Sequence, residues 1–401
     1  MPRHCIAPVC FVLALLGAAP AVAQELATPE DLGRYRFGPI RFTPAVTITN
    51  FGVDTNVFNE TVNPKQDFTV TFGPKVDVYT RLGRGLLSGQ AGVDYFYFQE
   101  YDSQRSFGTN EKLRIDYPLG RFTPFAEGRY VNTRQRQGYE IDARARRNEF
   151  AGLGGVDVRV GGKTIVRMGG AREAYRFKSD DTFVGASLSN ELDRDTDVFG
   201  VALRREITPL TTFVVSAEQR WDRFINSPVR DADGLKVTPG LEFKPFALID
   251  GKLFAGYRRF RTLSADVPDY SGPAASIDLG YTLRATRLTG TLNRDVTYSF
   301  DDIEPYYVQT DASLTVVQRV TTHWDVKGSA LRAALDYQAV AVTLARTDHV
   351  KQYGFGGGYR LGDTVRFGVD AIHVTRDSVL PGRTYDGWRI GGSVDYGVKQ
   401  R

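Results

Sequence analysis

The feature that most constrains this chain is a two-residue alternation of apolar and polar side chains, repeated from about Gly38 to Val398. In residues 67–79, Phe68, Val70, Phe72, Val76 and Val78 share one parity, while Asp67, Thr69, Thr71, Lys75 and Asp77 share the other. Residues 234–244 oppose Leu235, Val237, Leu241 and Phe243 to Lys236, Thr238, Glu242 and Lys244. Residues 276–284 oppose Ile277, Leu279, Tyr281 and Leu283 to Asp278, Thr282 and Arg284. Successive strand residues point to opposite faces, so each segment reads as a strand with one apolar face. The segments run to roughly ten residues and recur about eighteen times, the length and repetition of bilayer-crossing strands. Helical periodicity is nearly absent.

The connections alternate in length. Short turns fall at 82–85, 119–121, 161–163, 208–210, 249–251, 284–286, 321–322 and 361–363, rich in Gly, Asp and Pro. Long loops fall near 52–66, 101–108, 133–147, 178–194, 224–233, 263–271, 300–306, 334–347 and 376–385. Tight hairpins need the backbone angles that Gly, Asn and Asp supply. Alternating short and long connections predict an all-β fold: a transmembrane antiparallel up-and-down β-barrel of about 18 strands, with 16 as the lower bound. Residues 334–347 are ambiguous between a long strand and an element folded into the lumen.

The expected organisation is a signal peptide over 1–23, a short periplasmic lead-in over 24–37 and a barrel over 38–401. Arg3 and His4 begin a basic segment, Phe11 to Ala19 is apolar, and Ala21-Val22-Ala23 is a small-residue cleavage site. Both cysteines, Cys5 and Cys10, fall in the segment expected to be removed. A thiol-free exported chain avoids mispairing in an oxidising compartment. Mean hydropathy is −0.29, a value that a barrel alternating lipid-facing and lumen-facing residues reaches naturally. The net charge of +4 is too balanced to point to nucleic acid as a partner.

Parity identifies candidate lumen residues: Lys75, Asp77, Asp94, Arg114, Glu127, Arg129, Glu218, Arg220, Lys236, Glu242, Asp278, Arg284, Arg366 and Asp370. Basic side chains facing lipid near the midplane cost about 2–4 kcal/mol, so these belong inside. The two signs nearly balance, and no ring of one sign is evident, which argues against strict ion selection. Adjacent charges of opposite sign are expected to pair and stiffen the wall.

Several returning strands open on Arg and Asp: Arg194-Asp195, Arg230-Asp231, Arg346-Thr347-Asp348 and Arg383-Thr384-Tyr385-Asp386. The simpler reading is a solvated collar at the outer rim; the functional one is a solute-selecting vestibule. Tyr95, Phe96, Tyr97, Phe98, Tyr101, Tyr306, Tyr307, Trp221, Trp324 and Trp388 lie near strand ends, where interfacial girdles are expected. Stacking platforms for sugars would instead have to point inward, as Phe96 does by parity with Asp94. Near the C-terminus, Arg389, Gly391, Val394 and Tyr396 resemble the signal that barrel assembly machinery recognises on last strands, although five residues follow Tyr396.

No catalytic, cofactor or metal site is read, and an enzyme is not expected. Of the histidines beyond the signal segment, His323 falls at a short turn and His373 on an apolar parity. Only the Asp348–His349 pair is placed at the rim, and neighbours along a strand point to opposite faces. Asp301-Asp302-Ile303-Glu304 lacks the spacing of a calcium loop.

With strands, turns and Arg/Asp-led strand starts taken together, the chain resembles the outer-membrane β-barrel porin families of exopolysaccharide loci in Gram-negative bacteria. That resemblance implies an outer-membrane location, with lipid, lipopolysaccharide and the assembly machinery as partners. It also implies passage of small solutes or assistance to exopolysaccharide export. A non-conducting structural or adhesion barrel is the alternative. The mixed lumen departs from the strongly cationic lumen of alginate-type exporters.

Overall fold

A computed structural model describes residues 27–244, 248–340 and 346–397. The signal segment and the last four residues lie outside that set. Eighteen antiparallel strands form one sheet: β1 (Ile40–Asp54), β2 (Asp67–Leu82), β3 (Gly85–Phe98), β4 (Ser106–Asp116), β5 (Phe122–Thr133) and β6 (Arg147–Gly161). They continue with β7 (Thr164–Phe177), β8 (Arg194–Thr208), β9 (Thr211–Phe224), β10 (Ala232–Phe243), β11 (Ile249–Thr262) and β12 (Tyr270–Leu283). The circuit ends with β13 (Thr286–Tyr298), β14 (Tyr306–Arg319), β15 (Trp324–Gln338), β16 (Thr347–Leu361), β17 (Val365–Asp377) and β18 (Tyr385–Tyr396). Each strand pairs with its sequence neighbours, and β1 pairs with β18 from Val46↔Tyr396 to Asp54↔Arg389. The sheet is therefore closed and has no free edge, the condition for a sheet to cross lipid.

Burial is inverted relative to a water-soluble sheet. Phe72, Leu113, Phe150, Leu235, Tyr257, Leu314, Phe355 and Val369 are exposed on the outer face, whereas Glu127, Arg204, Glu242, Asp311 and Asp325 are buried. Among the described residues no helix is long and apolar enough to cross a membrane; the strands carry the apolar band.

The turns follow local backbone chemistry. Gly83 and Gly362 take φ of 61° and 63° in short hairpins, and Arg284 takes 54° in the two-residue turn between β12 and β13. Arg284 is thus a turn residue at the end of the wall and is corrected from a lining position. The turn expected at 249–251 is also corrected. Ile249, Asp250 and Gly251 pair with Tyr281, Gly280 and Leu279, and Asp250 Oδ1 accepts from Arg287 Nη2 at 2.9 Å, which fixes the segment in the ladder. The flanking strands are β10, ending at Phe243, and β11, beginning at Ile249.

Segment 334–347 resolves as strand at both ends, with β15 running to Gln338 and β16 starting at Thr347; residues 341–345 lie outside the described set. Before β1, Pro29–Leu32 forms one helical turn capped by Thr28, and Tyr35–Phe37 pairs with Ile40–Phe42.

The β12–β13 ladder ends at Ala275↔Arg294, while the β13–β14 ladder continues to Tyr298↔Tyr306. Beyond Arg294 the β13–β14 tip turns toward β9–β11. Asp295 bonds Lys236 Nζ at 2.8 Å and Arg258 Nη1 at 2.9 Å, and the Tyr298 hydroxyl donates to Asp222 at 2.8 Å.

Candidate functional site: the lumen and its outer mouth

The inner wall is laced by opposite charges on neighbouring strands. Glu127 receives Lys112 at 3.0 Å and Arg114 at 3.3 Å, and Arg114 also holds Asp116 at 2.6 Å. Arg129 lies 3.7 Å from Glu149, Arg220 bonds Asp222 at 2.9 Å, and Arg204 is forked onto Glu242. Lys236 lies 3.9 Å from Glu218 and 2.8 Å from Asp295. Arg366 and Arg360 share Asp325, and Lys327 meets Asp370 at 2.7 Å. Lys75 and Asp77 are 3.5 Å apart and, with Asp94, border open space. Asp278 is exposed on β12. On one side the lumen also holds an apolar cluster of Phe125, Leu153, Ala171, Val198, Ala202 and Val214, with Arg114 and Arg167 over the Phe125 ring.

Among the described residues, an open track runs along β1–β3. A periplasmic-side chamber of about 760 Å³ is bordered by Thr43, Thr47, Lys75, Asp77, Gln90 and Asp94, with Glu30 to Arg34 at its end. An outer chamber of about 470 Å³ is bordered by Thr49, Thr71, Phe96, Arg136, Tyr139, Arg144 and Arg389. Successive inward positions of the same strands line both: Thr47 then Thr49, Gly73 then Thr71, Asp94 then Phe96. Phe96 does border this space.

Among the described residues, loop 134–146, expected as an ordinary outer loop, reaches inward; the middle of the other inward candidate, 341–345 of 334–347, lies outside the described residues. The loop is clamped from β17 and the loop after it. Arg376, fully buried, donates through Nη1 to the carbonyls of Tyr139 (2.8 Å) and Glu140 (3.1 Å) and to Asp142 Oδ2 (2.9 Å), and through Nη2 to Asp348 (2.5 Å). Arg383 Nη1 lies 3.4 Å from Asp142, and its Nη2 reaches the Glu140 carbonyl. The Ser299 hydroxyl donates to Glu140 Oε1 at 2.6 Å. On the opposite side Arg136 and Arg144 both donate to the Val57 carbonyl, at 2.7 and 2.9 Å. Ile141 and Ala145 pack with Leu188 and Leu192 of the short helix 188–192 and with Phe177 and Phe224. Tyr139 rests against the cluster of Tyr307, Leu335, Tyr337 and Val350.

Burial sets the charge states of this loop. It pushes the Glu140 carboxyl up to about 7, opposed by the Ser299 hydroxyl and Arg383. It also raises Asp142 against the pull of Arg376 and Arg383. Arg144 falls to about 9 through burial, with Arg136 beside it adding like-charge repulsion. Desolvation disfavours each charged form, and neighbouring charge modulates the result.

The four strand-start arginines are not solvated, which corrects the collar reading. Arg194, Arg230, Arg346 and Arg383 are all buried. Arg194 stacks over Tyr175 at 4.0 Å, Arg230 bonds Glu191 at 2.6 Å and the Ser299 carbonyl at 3.0 Å, and Arg346 pairs with Glu304 and lies over Tyr337 at 3.6 Å. A guanidinium satisfies carboxylate, carbonyl and ring together, which suits it to tie loops across a mouth. Asp348, flagged beside His349, serves here as the Arg376 partner. A trace of the clamp does exist in the sequence: Ile141 sits between two acids, Glu140 and Asp142, inside an Arg-rich loop. At the seam, Arg389 lies 3.3 Å from Asp54, and Gly391, Val394 and Tyr396 stand in the last strand, paired on both sides.

Comparison with known proteins adds the family. Among solved structures, the siderophore receptor PirA from Pseudomonas aeruginosa matches with TM-score 0.43 and 8% identity, covering 90% of this chain and 81% of that one. A mutant of the ferric enterobactin receptor PfeA from the same organism gives 0.45 and 11%, covering 90% and 76%. The FrpB iron transporter from Neisseria meningitidis (F3-3 variant) gives 0.43 and 11%, covering 90% and 67%. No curated protein matches. The family model described as "Putative beta-barrel porin 2" matches residues 32–396, nearly the whole closed sheet, and the chain belongs to that family of outer-membrane β-barrels.

Proposed function

We propose that the protein is a porin-like passage for small polar solutes, narrowed at its outer end by loop 134–146. The supporting observation is the pair of stacked chambers along β1–β3, of about 760 and 470 Å³, beside a wall laced by paired charges and an apolar cluster. Barrels of 16–18 strands are wide enough for water and solutes, and the residual track suits a small hydrophilic molecule better than a polymer. Proteoliposome swelling tests this. A monosaccharide is expected to enter and a tetrasaccharide to be retarded; absence of swelling with both contradicts passage. Assistance to exopolysaccharide export is the broader form of the reading, and unchanged surface polymer after gene deletion removes it.

The non-conducting barrel keeps one observation in its favour, the buried clamp on loop 134–146. The proposal includes export on a cleaved signal peptide, recognition of Arg389, Gly391, Val394 and Tyr396 by the assembly machinery, and lipopolysaccharide at the rim. It includes no catalysis and no cofactor.

A further inference from the structure

Elsewhere in the lumen, Arg114, Arg204, Arg220 and Arg366 each bond a carboxylate directly. The outer chamber breaks that rule. Its bordering carboxylates are Asp54, Asp142 and Asp370. Asp54 is 3.3 Å from Arg389, Asp142 is held by Arg376 and Arg383, and Asp370 by Lys327. Arg136 and Arg144 are fixed instead by backbone carbonyls: Arg136 Nε on Asp142 O at 2.6 Å, Arg136 Nη2 and Arg144 Nη1 on Val57 O. A carbonyl orients a guanidinium without cancelling its charge. Loop 134–146 is therefore partitioned. Its acids, Glu140 and Asp142, are bonded from the clamp, with Asp142 also bordering the chamber, and Arg136 and Arg144 border the chamber together with Arg389.

We infer that the outer chamber is an oxyanion-binding site, with Arg136 and Arg144 as the principal contacts and Arg389 as an auxiliary cation, for a small solute carrying a carboxylate or phosphate. Guanidinium forks match the geometry of both groups. The chamber walls screen less than bulk water does, so two guanidinium groups that no carboxylate bonds directly act on an entering anion, with Asp54 offsetting part of their charge. Asn50, Gln135 and Phe96 also border the chamber and leave room for a hydroxylated, uncharged remainder. The inference rests on the passage reading for its physiological sense, but equilibrium binding does not require conduction, so the two fail separately.

The test is isothermal titration calorimetry on the full-length barrel in detergent, with inorganic phosphate, glucuronate and glucose as separate probes. Binding of phosphate or glucuronate, weakened by added salt, with no binding of glucose, is the expected result. Which anion binds tighter assigns the source of the charge. The double variant Arg136→Gln/Arg144→Gln is expected to weaken anion binding at least tenfold, whereas Lys178→Gln, an exposed change outside the chamber, leaves it unaltered. If gel heat-modifiability shows that the double variant misfolds, Arg144→Gln alone is measured, with a severalfold loss expected. Glucose binding as tightly as glucuronate, anion binding unchanged in the variants, or no heat with either anion overturns the inference.

Discussion

Arg376 occupies a position that tolerates little change. Its side chain and that of Asp348 are both fully buried and 2.5 Å apart, and removing one member of such a pair leaves an uncompensated charge costing about 3–5 kcal/mol. Arg376→Gln is expected to release loop 134–146 while leaving the sheet assembled. Trypsin should then cut the loop at its arginines in folded protein; unchanged resistance contradicts the clamp. Glu140 gives a pH test with a definite sign. Its docked value of about 7 lies above the ordinary 4.5, so between those pH values the docked loop holds a proton that the free loop has lost. Docking is fully favoured below about pH 4.5 and weakens as pH rises through 7, by up to roughly 3 kcal/mol. Loop cleavage relative to Glu140→Gln should rise over that interval and level off above it. A flat ratio, or one falling with pH, rejects the assignment.

At the scale of elements, the strands were legible because each carries its own periodicity. Phe68, Val70 and Phe72 announce β2, and Leu235 and Val237 announce β10, whatever surrounds them. Turn positions were legible where a left-handed backbone forces the residue choice, as at Gly83 and Gly362, and misread at Gly251, whose φ of 115° serves a distortion within β11. Loop 134–146 was not legible in the same way. Its inward course depends on Arg376 and Arg383, more than 200 positions away, and the local acid-Ile-acid pattern at 140–142 does not name those partners. The collar arginines were misjudged for a related reason: a charge at a strand start is solvated unless distant loops cover it, and here they do. The outer face offers an independent check. Phe355, mid-strand in β16 and 70% exposed, faces lipid. Phe355→Arg is expected to reduce folding stability in bilayers by about 2–4 kcal/mol, read from denaturant-dependent folding into vesicles. A cost near zero contradicts the assignment of that face.

For the molecule as a whole, closure at β1–β18 and apolar exposure on one face make a membrane cylinder, and the paired inner charges explain why an interior so rich in ions is stable. Open space runs as a track along β1–β3 beneath the loop. Parity could assign Lys75, Asp94 and Glu127 to one face of the sheet, but not separate those bordering open space from those locked in pairs, because the difference is made across strands. The central claim is that loop 134–146 sets the width of this passage. Single-channel recording in planar bilayers tests it most directly, comparing the native chain with a variant in which residues 135–145 are replaced by a short Gly-Ser linker. Small stepwise conductances in the native protein and severalfold larger steps in the variant are the predicted result; identical steps, or none in either protein, would contradict it.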